Sequence, residues 1–183
     1  MNFILNVDTL INAWLQTMRN PLMTKIFYGI TLLGEVQTII ILALAVSIYL
    51  WKKSGKLPIA TLWLAIIGSE GTTFVGKLWF HRPRPLNAIY LETSNSFPSG
   101  HATIAVAFGG FIAYLLLKKI TNKLQQALVI LVALIVILAI GFSRLYLGVH
   151  YVSDVTGGYL VGLLWLIIAI GVDKSKWAKN KII

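Results

Sequence analysis

Three short stretches of this 183-residue chain carry side chains that could hold and transfer an oxyanion. The first runs Lys77-Leu78-Trp79-Phe80-His81-Arg82-Pro83-Arg84-Pro85, the second Pro98-Ser99-Gly100-His101, and the third from Ser143-Arg144 to His150, followed by Asp154. Lys77, Arg84 and Arg144 are cations suited to phosphate oxygens, and arginine adds bidentate geometry. Ser99 and the N–H groups near Gly100 stand at the head of an apolar segment, where a helix start offers unpaired donors and a positive dipole end. Gly100 also lets the backbone approach an anion closely. Phosphoryl transfer rests mostly on positioning and charge stabilisation, so this inventory covers much of the chemistry. A nucleophile and a proton donor complete it. His150 and Asp154 are spaced i, i+4, so on a helix the carboxylate reaches the imidazole, sets its tautomer and stabilises the cation formed by attack. His101 has no such local partner and can protonate a leaving alkoxide.

Each piece also has a plainer reading. Cations at span ends snorkel to headgroups, a Ser-Gly pair at a helix start is an ordinary cap, and a His–Asp pair four apart can be a structural hydrogen bond. His81 and Arg82 are expected to be headgroup contacts, and Trp79 and Tyr90 interfacial anchors. Glu70 lies seven residues before Lys77 and shares its helix face; an intramembrane acid is a functional candidate or a buried partner for a threonine or lysine. The plainer readings combine poorly, because all must hold at one depth and on one side.

The elements that must position these residues are membrane helices. With 57% hydrophobic and 12% charged residues, the chain is too apolar for a soluble domain, whose charged fraction is about 25%. Runs of about 20 apolar residues, enough to cross the hydrocarbon core, occupy roughly 57–80, 99–117, 124–142 and 151–172, and a shorter one occupies 36–51. Residues 1–19 have the periodicity of an interfacial amphipathic helix, interrupted at Asn20-Pro21. Residues 22–33 then form a short, weak first span turning at Gly34. The expected fold class is all-α: one polytopic membrane bundle over 1–183, with about six spans and five as the alternative. The stretch from His81 to Pro98 is expected to be irregular, and Ser143 to Val149 a short connection. The early apolar stretch lacks a basic n-region and a small-residue cleavage site, so no cleavable signal is expected.

Charge orients the bundle. Lys52, Lys53 and Lys56, then Lys118, Lys119 and Lys123, then Lys174, Lys176, Lys179 and Lys181 all fall on one side if each span crosses once. The positive-inside rule makes that side, and the C-terminus, cytoplasmic. This distribution, rather than a basic patch, accounts for the net charge of +10, so no nucleic-acid partner is expected. Lys77, Arg82, Arg84 and Arg144 lie on the opposite side, where the rule gives no reason for them. Only six acids are present, and the outer face musters too few carboxylates and imidazoles, without metal-ligand spacing, for a two-metal site. No metal and no cofactor are expected. The absence of cysteine removes disulfides, thiolate metal sites and a cysteine nucleophile.

Lys77-x6-Arg84-Pro85, Pro98-Ser99-Gly100-His101 and Ser143-Arg144-x5-His150-x3-Asp154 resemble, in order and spacing, the three signature motifs of the type-2 phosphatidic acid phosphatase (lipid phosphate phosphatase) superfamily. The motif region spans 77–154. The resemblance implies that His150 is the nucleophile of a phosphohistidine intermediate, Asp154 its partner and His101 the acid. It implies that Lys77, Arg84, Ser99, Gly100 and Arg144 bind phosphate, and that catalysis needs no metal. The small size looks like the compact bacterial members, phosphatidylglycerophosphatase B-type enzymes and undecaprenyl pyrophosphate phosphatases among them. The implied partners are the bilayer and a lipid phosphate, cleaved at the outer face of the cytoplasmic membrane. Phosphatidylglycerol phosphate is the first choice of substrate, ahead of undecaprenyl pyrophosphate and phosphatidic acid. Two rivals from other classes are an intramembrane serine hydrolase using Ser99 and a non-catalytic anion carrier.

Overall fold

Polar punctuation sets the helix ends. The structure, a computed structural model, describes residues 2–179, so Lys181 of the basic tail lies outside them. Helix α1 covers Asn2–Thr17 and α2 Pro21–Thr31. Between them Asn20 caps α2, its side chain accepting from the Met23 N–H at 3.0 Å, and Pro21 takes the first turn, where its missing N–H costs nothing. A single 3-10 turn, Leu32–Gly34, leads into α3, Val36–Lys53. Helix α4 runs Lys56–Phe80, and His81 ends it in the left-handed conformation at φ 45°. Residues 81–99 form the expected irregular loop. The next span is α5, Gly100–Ile104, and α6, Gly110–Leu117, joined by a π-helical stretch at Ala105–Gly109. Asn122 caps α7, Lys123–Tyr146, through the N–H groups of Leu124 and Gln125, and α8 covers Val152–Lys179.

Among the described residues, five helical segments are long and apolar enough to cross a membrane: Val36–Lys53, Lys56–Phe80, Gly100–Leu117, Lys123–Tyr146 and Val152–Ser175. Their outer surfaces carry exposed large apolar side chains such as Ile41, Phe74, Leu131 and Ile167, as a lipid-facing belt requires. Helix α2 is the weak first segment. Its 11 residues reach about 16 Å, half the hydrocarbon thickness. Both of its ends also meet the last turn of α7: the Asn20 N–H donates to the Tyr146 hydroxyl, and the Thr31 hydroxyl accepts from Arg144. It therefore lies along the outer end of α7, a short first segment beside the five long ones.

One boundary differs from the sequence reading. Ser143 and Arg144 are in the last turns of α7 rather than in a connection, so the turn to α8 is only 147–151. The physical reason is that Arg144 is buried, with its Nη groups donating to Thr31, Tyr90 and Glu92, and therefore does not end the helix at the membrane surface.

The core lies where α3, α4, the α5–α6 span and α8 meet, around Leu62, Ala65, Ala107, Phe111 and Ala169. Helix α8 can press against α5 because of Gly158. A Cβ there would stand 2.5 Å from the Ser99 carbonyl oxygen and 2.9 Å from Ala102 Cβ. That close approach lets the Ser99 N–H donate to the Asp154 carbonyl at 3.0 Å, which ties the second motif to the third.

Candidate active site

The last turn of α4, the 81–99 loop, the start of α5 and the α7–α8 turn converge at the end of the bundle opposite Lys52, Lys118 and Lys174. All eight residues singled out from the sequence are brought to this end, and several more join them.

His150 is 1% exposed and lies between two opposed partners. Its Nδ1 is 3.4 Å from Asp154 Oδ2, and its Nε2 is 3.1 Å from Arg84 Nη1. A guanidinium can only donate, so Nε2 must offer its lone pair and the ring proton must sit on Nδ1, toward Asp154. Burial pushes the imidazole down to about 3, with the hydrogen bond to Asp154 opposing and the charges of Arg84 and Arg144 adding to the shift. His150 is thus a neutral ring with a bare Nε2 lone pair among cations.

Asp154 is held on all sides. Its Oδ1 accepts from Arg82 Nη1 at 2.6 Å, and its Oδ2 accepts from the Tyr151 N–H at 2.8 Å and from the Ser96 hydroxyl. Arg82 continues to Asp8 Oδ2 at 2.7 Å and Ser153 Oγ at 2.6 Å, and its guanidinium stacks on the Tyr151 ring. The expected headgroup role of Arg82 is therefore corrected: two buried carboxylates give it a better partner than lipid. His81 stays exposed, with Nδ1 3.3 Å from the Trp79 carbonyl, and Trp79 is 81% exposed, as an interfacial anchor should be.

Arg144, with no exposed surface, donates to Thr31 Oγ1 at 2.7 Å, to the Tyr90 hydroxyl at 2.5 Å and to Glu92. Tyr90 is thus a partner of Arg144 rather than an interfacial anchor, because its hydroxyl finds a buried cation. Arg84 reaches the other Glu92 oxygen at 2.6 Å and also donates to the Ser94 and Val149 carbonyls. Burial alone would raise the carboxyl of Glu92, but the two guanidiniums outweigh it and hold it below its ordinary value. Glu92 bridges the two arginines in the manner of a bidentate oxyanion. Lys77 Nζ donates to the Asn95 carbonyl at 2.6 Å and to Ser94 Oγ at 3.1 Å.

Ser99 is the residue before α5, yet its side chain makes no cap hydrogen bond. Its Oγ and Arg144 Nε are two of the four buried side-chain polar atoms, among the described residues, that have no protein partner; the others are Glu70 Oε1 and Arg19 Nη2. An unpartnered buried donor costs about 1–3 kcal/mol, and an anion accepting from both offsets that cost. A Cβ at Gly100 would meet only ordinary contacts, 3.8 Å from Glu70 Oε2 and Thr73 Cγ2, so packing by itself does not demand glycine there.

His101 Nε2 lies 3.3 Å from Glu35 Oε1 and 3.3 Å from Arg144 Nη1. Its hydrogen bond to Glu35, more than the opposing burial, holds the Glu35 carboxyl below its ordinary value. Glu35 accepts only from a protonated Nε2, whereas Arg144 donates only to a bare one. The two neighbours favour opposite states of one nitrogen, as suits a group that gives up and takes back a proton.

A family model described as the PAP2 superfamily matches residues 58–177, a stretch that contains every one of these motif residues. The chain belongs to the PAP2 superfamily. It is 32% identical over 179 residues to phosphatidylglycerophosphatase B of Bacillus subtilis (strain 168), covering 95% of this chain and 87% of that one. It is 27% identical to the lipid A 4'-phosphatase of Porphyromonas gingivalis, over 90% of this chain and 72% of that one. The crystal structure of the transmembrane PAP2 type phosphatidylglycerolphosphate phosphatase from Bacillus subtilis superposes with a TM-score of 0.90 at 29% identity, covering 96% of this chain and 88% of that one. The PAP2 assignment makes this a membrane phosphatase, a hydrolase of phosphate esters.

Sequence reasoning missed Asp8, Thr31, Glu35, Tyr90, Glu92 and Ser96 as members of the site. One signal was available. In a chain with six acids, a carboxylate on an otherwise amphipathic α1 needs a cation, and Arg82 was a cation without a reason.

Proposed function

We propose that this chain removes the terminal phosphate of a lipid phosphate at the outer face of the bacterial cytoplasmic membrane, through a phosphohistidine and without a metal. The observation that carries the reading is the placement of His150, with Nδ1 3.4 Å from Asp154 Oδ2 and Nε2 3.1 Å from Arg84 Nη1, which implies a proton on Nδ1 and a lone pair on Nε2 among the cations. Nε2 attacks phosphorus as the ester P–O bond breaks, and His101 gives its proton to the departing alkoxide. Water then attacks the phosphohistidine, His101 takes its proton, and inorganic phosphate leaves with His150 restored. Lys77, Arg84, Arg144, the Ser99 hydroxyl and the N–H groups near Gly100 carry the phosphoryl charge throughout. Three fixed cations supply the charge neutralisation that a metal gives elsewhere. Because Glu92 spans two of these cations, substrate phosphate takes over guanidinium donors that the carboxylate occupies in the protein alone. The likeness to a phosphatidylglycerophosphatase B supports phosphatidylglycerol phosphate as the substrate.

The test is acid-quench trapping with a labelled lipid phosphate. Label should appear on wild-type protein and be lost with phosphate release in His150→Ala. Turnover intact in His150→Ala, with no trapped label, overturns the mechanism. Activity that depends on Ser99 and ignores phosphate esters would favour a serine hydrolase, and binding without release an anion carrier. Phosphate release from phosphatidylglycerol phosphate, undecaprenyl pyrophosphate and phosphatidic acid in micelles ranks the substrates, with the first expected to be fastest.

A further inference from the structure

The catalytic end opens into a cavity of about 250 Å³ between α3 and α4, and Glu70 stands on its wall with Lys77, Gly100, His101 and His150. Glu70 lies two helical turns before Lys77 on α4, roughly 10 Å deeper along the axis. Much of the remaining wall is apolar, including Ile39, Ile66 and Phe74. In that setting Glu70 Oε1 is buried with no hydrogen-bond partner.

The partners that its neighbourhood offers are engaged elsewhere. Thr73 donates to Thr103 Oγ1 at 3.1 Å, Thr72 to the Gly68 carbonyl at 2.9 Å, and Lys77 to the Asn95 carbonyl at 2.6 Å. Glu70 Oε2 meanwhile lies 3.8 Å from where a Gly100 side chain would begin, beside the phosphate end of the cavity. A carboxylate next to a phosphate group is repulsive unless a donor stands between them. The nearby threonine hydroxyls are bonded elsewhere and two of the three Lys77 donors are held by Asn95 and Ser94, so a substrate hydroxyl is the donor that the cavity leaves room for.

We propose that Glu70 is a specificity-determining residue that accepts a hydrogen bond from a free hydroxyl on the leaving alcohol, on the carbon next to the one bearing the phosphate ester. The proposal rests on the lipid phosphatase reading and refines it. Lipids phosphorylated on a glycerol whose neighbouring hydroxyl is free carry this donor; a fully acylated glycerol phosphate or a polyprenyl diphosphate does not. A site that binds a hydroxyl rejects the analogue lacking it, because the buried carboxylate is then left unpaired.

The matched pair for the test is 1-oleoyl lysophosphatidic acid and its 2-deoxy counterpart, which differ only in that hydroxyl. Phosphate release is measured in mixed micelles for wild type, Glu70→Gln and Glu70→Leu. Wild type should favour the hydroxyl substrate by about tenfold or more in kcat/KM, the fold-change of one hydrogen bond to a charged acceptor. Glu70→Leu should bring the ratio close to one, mainly by losing turnover of the hydroxyl substrate, and Glu70→Gln should lie between. A wild-type ratio near one, or a ratio unchanged in Glu70→Leu, overturns the assignment while leaving the lipid phosphatase reading in place. No release from either substrate while phosphatidylglycerol phosphate is cleaved overturns the assignment alone, and no release from any of the three by wild type overturns both. Should Glu70→Leu not fold, the wild-type ratio and Glu70→Gln still decide.

Discussion

At the scale of single residues, the site is a set of opposed demands on two imidazoles. His150 is neutral because charging it would bury a cation beside Arg84 and Arg144. Its folded-state pKa of about 3 lies below the unfolded value of about 6.5, so as pH falls the unfolded chain takes up the proton first. The stability associated with the neutral ring is therefore intact above about 6.5 and is lost progressively as pH falls toward 3. His150→Gln should flatten the fall of Tm with pH in that window. Parallel curves for wild type and variant would mean the ring is already charged in the fold. For the same reason, the rate of phosphoenzyme formation should show no acid limb near pH 6.5 that belongs to His150; such a limb, tracked by trapping, would refute the neutral nucleophile. Arg82 tests the other side of the network. Arg82→Gln leaves Asp8 and Asp154 without their shared cation, a loss of about 3–5 kcal/mol by the usual cost of a broken buried pair, and should lower kcat at least tenfold as Asp154 shifts. Adding Asp8→Asn should recover part of the Tm but not the activity; additive losses in the double variant would show that the two side chains are not coupled.

Among the elements, the contact between α8 and α5 governs whether the motifs meet. Gly158 is where α8 passes the Ser99 carbonyl, and a larger residue must push the helices apart. Gly158→Val should destabilise the protein by about 1–3 kcal/mol, the usual cost of overpacking, and lower kcat/KM by separating the Ser99 N–H from the Asp154 carbonyl. Thermal unfolding in detergent together with kinetics reads both effects, and a variant of wild-type Tm and rate would show that the crossing is not tight. Helix α1 has a role that its amphipathic pattern hides. It buries Asp8, Asn12 and Leu15 against the bundle while Phe3, Leu10 and Trp14 remain exposed, so its polar stripe serves the active site and its apolar stripe meets lipid.

For the whole molecule, the arrangement of charge and the arrangement of chemistry agree. Lysines gather at one end, paired in part by Lys118 with Asp173, while the arginine-rich site occupies the other. If the lysine end is cytoplasmic, a single cysteine at Leu91, which is 96% exposed in the 81–99 loop, reacts with an impermeant thiol reagent on intact cells, and one at Lys119 does not. The chain has no native cysteine, so the labelling is clean; labelling of Lys119→Cys alone would invert the topology.

The sequence by itself determined the apolar spans, the three motifs and the end of the bundle, opposite the lysines, at which they meet, because span length, helical spacing and charge asymmetry are local or additive properties. His150 and Asp154 were legible as a pair because they are only four positions apart, although His150 lies in the 147–151 turn and not on one helix with Asp154, and the turn itself brings its Nδ1 within 3.4 Å of the carboxylate. Only the tertiary structure decided that Arg82 serves Asp8 and Asp154, that Glu92 and Tyr90 engage Arg144, and that Glu35 sits on His101. Those partners are 52 to 74 positions apart along the chain, several of them on an irregular loop, where no periodicity records which side chain a buried cation will find. The depth of α2 was also beyond the sequence, because an 11-residue apolar helix fits a short span and a surface helix equally well until its two ends are seen to touch the same turn of α7.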